Sequence, residues 1–179
     1  MPIVSSNRCI PRIISRLKTQ YPQASQDSTL ELDSHADTSC AGRACHILEY
    51  TDKTCTVNSF SEQHQQLEDV PIVKAATAYD ASNGEVYILV MNQALYLGEH
   101  MEHSLLCPNQ ARSNGIIVND VPKHLALTIT DTTHSIVFPE DDVTLPLELQ
   151  GVISKITIRL PTIEEIENCR WLTLTSAAE

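Results

Sequence analysis

Aromatic side chains are scarce in this chain: two Phe, one Trp and five Tyr among 179 residues. A packed core must therefore be built mainly from Leu, Ile and Val, because few large rings are available to anchor it. Glycine is also sparse. Its five residues are too few and too scattered for a phosphate-cradling loop or a dinucleotide fingerprint. Positive charge is short as well. Twelve Lys and Arg stand against 23 Asp and Glu, a formal net charge of −11. That balance argues against a dedicated nucleic-acid or anionic-membrane binder, since counterion release needs clustered cations. Only the stretch RCIPRIISRLK is locally basic. No apolar run approaches the ~20 residues that a membrane span requires. Arg8, Arg12 and Arg16 interrupt the apolar residues near the start, so neither a membrane segment nor a secretory signal is expected. The six cysteines at positions 9, 40, 45, 55, 107 and 169 lie in a chain long enough to fold without a disulfide framework, and reduced thiols in an intracellular setting are expected.

What is present is a series of β-like runs. Residues 1–28 read as a tail or linker: IPRIISRLKTQY has the makings of a short helix and PQASQDST is polar. From position 29 onward come TLELD, ACHILEY, KTCTVNSF, VPIVKAATAY, EVYILVMNQALYL, HLALTIT, HSIVFP, VTLPLEL and ISKITIRL. Each is rich in Val, Ile, Leu or Thr and is bounded by turn formers. Asn83-Gly84 is a strong hairpin signal, because a tight turn requires positive φ. CPNQARSNG carries Pro108 at the start of a short helix and Gly115 after its end. Pro161 and Thr162 precede an acidic first turn in PTIEEIENC, which suits a helix dipole. A mainly β domain of short strands with one or two short helices is expected over residues 29–160, followed by a linker or tail at 161–179. No internal repeat is visible.

The densest chemistry lies in LELDSHADTSCAG, residues 30–42. An Asp at the end of an apolar strand, followed by a tight polar turn, displays a carboxylate at the mouth of a cleft. Two such carboxylates brought together cannot both ionise, so a shared proton lets the pair act as base and acid on a water molecule. The plainer alternative is that Asp33, Ser34 and Asp37 simply build a turn.

LDSHAD resembles the Leu-Asp-Ser/Thr-Gly-Ala signature of retroviral and retrotransposon aspartic proteases: Leu32, Asp33, Ser34, Ala36 and Asp37 match, and His35 stands where Gly is usual. LYLGEHMEHSLLCPNQARSNGI resembles the copia-type segment in which a strand runs into a short helix ending before Gly. The resemblance covers roughly residues 29–120. It implies a retropepsin-like closed barrel with Asp33 as the catalytic carboxylate. Ser34 would hold interlocked hydrogen bonds at the base of the site, Ala36 would line the cleft, and Asp37 would fix the loop or contact substrate backbone. The segment around Asn83 and Gly84 sits where a substrate-covering flap would lie. Because the chain carries one Leu-Asp-Ser motif, the resemblance implies a C2 homodimer that pairs two copies of Asp33 to cleave the element's own polyprotein. It further implies an intracellular, cytoplasmic setting that includes retroelement particles, and no cofactor. His35 is the main departure: an imidazole crowds the dyad and, when protonated, favours ionised aspartate. Asp37-Thr38-Ser39 offers a second register that lacks the preceding apolar strand.

Two other readings stay open. The chain could be a β-barrel interaction module derived from such a protease and lacking cleavage. Alternatively, His35, Asp37, Cys40, Cys45 and His46 could form a Cys/His metal site, although their spacing matches no standard zinc arrangement, and no metal is expected.

Overall fold

The computed structural model describes residues 27–57 and 67–177. Among these residues twelve strands and two short α-helices follow one another in the order β1 (Ser28–Leu32), β2 (Cys40–Gly42), β3 (His46–Val57), β4 (Leu67–Asp80), β5 (Val86–Gly98), β6 (Ser104–Leu106), α1 (Pro108–Ser113), β7 (Ile117–Asn119), β8 (Ser135–Phe138), β9 (Val143–Pro146), β10 (Glu148–Gln150), β11 (Ile153–Ile158), α2 (Ile163–Asn168) and β12 (Arg170–Thr173). The chain is thus mainly β, as its Val, Ile and Thr runs require. The expected helix near the N-terminus and the last three residues of KTCTVNSF lie outside the described residues.

The sheet is open. Its order is β10-β11-β1-β6-β2-β5-β4-β3, with β12 added beside β5, and a separate sheet runs β7-β8-β9. Among the described residues no closed barrel forms, because β10 and β3 end the path without meeting. The expectation of uniformly short strands is also corrected: β3, β4 and β5 have 12, 14 and 13 residues. Register shifts within these pairings explain why simple alternation understates their length.

β5 holds the domain together. Val86 through Asn92 are all buried, which marks a central strand covered on both faces. Successive side chains point to opposite faces. Tyr87, Leu89 and Met91 enter the main core with Leu30, Leu106, Phe138, Ile156 and Leu172. Val86, Ile88 and Val90 enter a second cluster with Ala76, Ala78 and Cys169.

Residues 161–177 are therefore not a tail. β12 pairs in parallel with β5, from Arg170 opposite Tyr87 to Thr173 opposite Val90, and Leu172 and Leu174 are fully buried. The polar character of TIEEIEN hid this role. α2 begins at a capping box, in which Thr162 Oγ1 accepts from Glu165 N and Glu165 Oε2 accepts from Thr162 N. Glu165 also receives both terminal nitrogens of buried Arg159, whose Nε and Nη2 hold Asp80 at the end of β4. Burial opposes the Arg159 charge, but the two carboxylates outweigh it and raise its pKa. Cys169 is disulfide-bonded, while Cys40, Cys45, Cys55 and Cys107 are free, so the expectation of reduced thiols is corrected at Cys169. Among the described residues no helix is long and apolar enough to cross a membrane.

Candidate functional site

The Leu-x-Leu of β1 points Leu30 into the core and brings the chain to Asp33 at the strand tip. β1 runs parallel to β6, with Leu30 opposite Ser104 and Leu32 opposite Leu106. Asp33 N donates to Leu106 O at 3.1 Å, so the tip of β1 is pinned where β6 turns into α1. The two sequence stretches singled out above are thereby brought side by side.

The loop that follows is built on Asp33 itself. Asp33 O accepts from Ala36 N at 3.3 Å, and Asp33 Oδ1 accepts from His35 N at 2.9 Å. This Asx turn fixes the carboxylate's orientation. Among the described residues Oδ2 makes no hydrogen bond. Asp33 and Ala36 are half-buried, whereas Ser34, His35 and Asp37 are exposed. Ser34 Oγ lies 3.4 Å from His35 Nδ1, so within one chain it does not form the interlock expected at the base of the site.

Ser39 does the anchoring. It is fully buried, and its N and Oγ both donate to Gln110 Oε1 at 2.8 Å. Its Oγ accepts from Cys107 N at 3.0 Å, and its carbonyl accepts from Leu95 N at 3.0 Å. One serine thus ties the loop to α1, to the end of β6 and to β5. The sequence reading missed Ser39 and Gln110. A serine in a turn and a glutamine on a short helix, 71 positions apart, carry no local mark of belonging together.

Cys40 reports the electrostatics of this corner. Its thiol is pushed up to about 11, first by burial, then by the charges of Asp33 and Asp37, with a further contribution from Cys55. β2 pairs with β5 through Cys40 opposite Leu95, and β4 pairs with the same residue through Ile72. The β3–β4 hairpin extends beyond this row to Val57 and Leu67.

Asn83 and Gly84 form the expected hairpin turn. Gly84 takes φ +87°, and Asn83 Oδ1 accepts from Glu85 N at 3.0 Å. The turn lies at the other end of β5, however. From Val86 to Leu95 an extended strand spans roughly 30 Å, and the neighbour of the turn is Arg159 rather than Asp33. The flap assignment to Asn83 and Gly84 is corrected accordingly. Sequence order suggested a cover between the two motifs, and two successive hairpins occupy that interval.

The proposed metal ligands are not gathered. Cys45 is buried against Ser104 Oγ at 3.3 Å, with its thiol pushed up to about 11 by burial. Among the described residues no group of three or more His, Cys, Asp or Glu side chains is arranged to hold a metal ion. No family model, curated protein or solved structure matches the chain.

Proposed function

We propose that this chain is the aspartic endopeptidase domain of a copia-type retrotransposon polyprotein, retropepsin-like in fold and active as a homodimer in the cytoplasm. The observation that carries this reading is the placement of Asp33. It sits at a strand tip beside a parallel strand, half-buried, with one carboxylate oxygen held by a backbone N–H and the other without a hydrogen bond among the described residues.

A two-fold axis near the loop pairs Asp33 with its copy. At that separation one carboxyl keeps a proton. The ionised member takes a proton from water as the water oxygen attacks the peptide carbonyl carbon, and the protonated member gives its proton to the carbonyl oxygen. The tetrahedral diol then collapses, the C–N bond breaks, and a proton passes to the leaving nitrogen. No covalent enzyme intermediate is needed. Ser34 and Ala36 support the paired loops, and Asp37 meets substrate backbone. The β3–β4 hairpin takes the covering role, and an extended polyprotein segment binds beneath it through main-chain hydrogen bonds.

The test is self-processing of a precursor that carries the domain. The wild-type precursor is cut and the Asp33→Asn precursor is not. Processing that survives the substitution removes Asp33 from the mechanism. A stable wild-type dimer that cuts no member of a peptide library assigns the fold to an interaction module instead, with His35 as the residue that ended catalysis.

A further inference from the structure

Exposed aliphatic side chains collect at the end of the sheet that carries Asp33. β1 and β11 are antiparallel, with Leu30 opposite Ile156 and Glu31 opposite Lys155. Continued by two positions, that register sets Asp33 beside Ile153, with about 5 Å between Cα atoms. Leu30 and Ile156 both enter the core, so by alternation Asp33 and Ile153 lie together on the outer face. Ile153 pairs in turn with Gln150. Gly151 and Val152 close the β10–β11 hairpin, Gly151 at the φ of +62° that a two-residue turn needs. Val152 is 95% exposed and Ile153 43%.

A second segment leaves from the same end. The β7–β8 pairing closes at Asn119 opposite Ser135, and the buried His134 ring lies 2.9 Å from Ser154 Oγ, beside Ile153. The base of the 120–134 loop is thus held at the tip of β11. Bonds of its own order this loop: Leu125 N donates to Pro122 O at 2.9 Å, and Asn119 Nδ2 donates to Thr132 O at 2.9 Å. Yet it holds Val121, Leu125, Leu127 and Ile129 out in solvent, Leu127 entirely.

Apolar exposure on this scale marks a contact surface. Charge and placement identify the occupant. Residues 125–130 and 149–154 carry no charged side chain, in a chain of net charge −11. Two such chains repel where acidic surfaces meet, and uncharged stretches let them approach with least repulsion. The two segments supply about twenty residues, as many as one side of a standard interface. A copy that faces Asp33 across a two-fold axis also faces Ile153, the neighbour of Asp33 in the ladder.

We infer that the 120–134 loop and the β10–β11 turn form the surface on which a second copy of this chain docks, about a two-fold axis at the Asp33 end of the sheet. The choice of a second copy rests on the paired-carboxylate reading, whereas the contact itself needs no cleavage. Each copy contributes both segments, because a two-fold interface is isologous.

The experiment is sedimentation velocity over a range of concentrations on the full chain carrying Asp33→Asn, so that no self-cleavage intervenes. The expected result is a reversible monomer–dimer equilibrium. Leu127→Asp and Val152→Asp each place an unpaired carboxylate in the contact and should weaken the dimer about tenfold or more, with circular dichroism unchanged. Ile163→Asp, at an exposed position past the far end of β11, should leave the dimerisation constant as it was. A chain that stays monomeric at every concentration, or a dimer that Leu127→Asp or Val152→Asp leaves intact, would overturn the inference. If either variant loses its fold, amide exchange in the parent chain decides: residues 121–129 and 150–153 must slow as the dimer forms, and unchanged exchange there overturns the surface. A dimer built on this surface that cuts no peptide removes the peptidase reading and keeps the surface. Cleavage by a dimer indifferent to both substitutions does the reverse.

Discussion

Replacing Ser39 by Ala removes one oxygen from the point where the loop, α1 and β5 meet. The substitution leaves Cys107 N without its acceptor in a buried setting and takes one of two donors from Gln110 Oε1. The stranded N–H costs about 1–3 kcal/mol, and the lost neutral hydrogen bond about 1 kcal/mol more. A total near 3 kcal/mol is expected, large for the loss of a single atom. With a urea slope of about 2 kcal/mol/M, the unfolding midpoint should fall by about 1.5 M. Gln110→Ala should be comparably damaging, because it strands the Ser39 N–H and O–H together. The double variant should be milder than the sum by about 1–2 kcal/mol, since both changes break the same network. Equilibrium urea unfolding of the four proteins, followed by tryptophan fluorescence and circular dichroism, measures this cycle. A Ser39→Ala loss below about 0.5 kcal/mol, typical of an indifferent surface position, or a strictly additive double variant, would refute the anchoring role.

Other outcomes follow from the same structure. Burial tends to raise the Glu165 pKa, but bonds from Arg159 and Thr162 outweigh it and leave the folded carboxyl below its ordinary value. Its contribution to stability is therefore complete above the unfolded value of about 4.3 and is lost as pH falls through the folded value. Urea midpoints of the wild type should drop through that acidic window, and Glu165→Gln should be weaker at neutral pH with a flatter acid dependence; parallel pH profiles would contradict this. Gly42→Ala should cost several kcal/mol, because a Cβ there meets Met101 O and His103 O at 2.5 Å, and both are backbone atoms. A thermal midpoint within a degree of wild type would show that the 101–103 turn yields freely. Leu172→Ala should cost about 2–5 kcal/mol, whereas a true C-terminal tail would tolerate it.

Local chemistry was legible in the sequence. Pro108 and Gly115 mark the ends of α1, Thr162 and Glu165 mark the start of α2, and Asn83-Gly84 marks the β4–β5 turn, because each signal acts within a few residues of itself. The strand ending at Asp33 was visible for the same reason. Non-local partners were not. Arg159 reads as one polar residue after an alternating strand, yet its two carboxylates lie 79 positions before it and six after. Trp171 and Thr173 are exposed, which masks the buried Leu172 and Leu174 that make β12 part of the core. The site divides in the same way. Asp33 announces itself by its neighbours, whereas Ser39, Gln110 and the β3–β4 hairpin depend on which strands lie side by side.

The proposed sharing of one active site between two copies is tested most directly by mixing. Wild-type chains are unfolded and refolded with an equal amount of Asp33→Asn chains, and cleavage of a processing-site peptide is followed. If each dimer needs both carboxylates, random pairing should leave about half the activity of the same wild-type protein refolded alone, and added excess of the variant should suppress it further. Activity that stays constant per wild-type chain at every mixing ratio would contradict the paired Asp33 site.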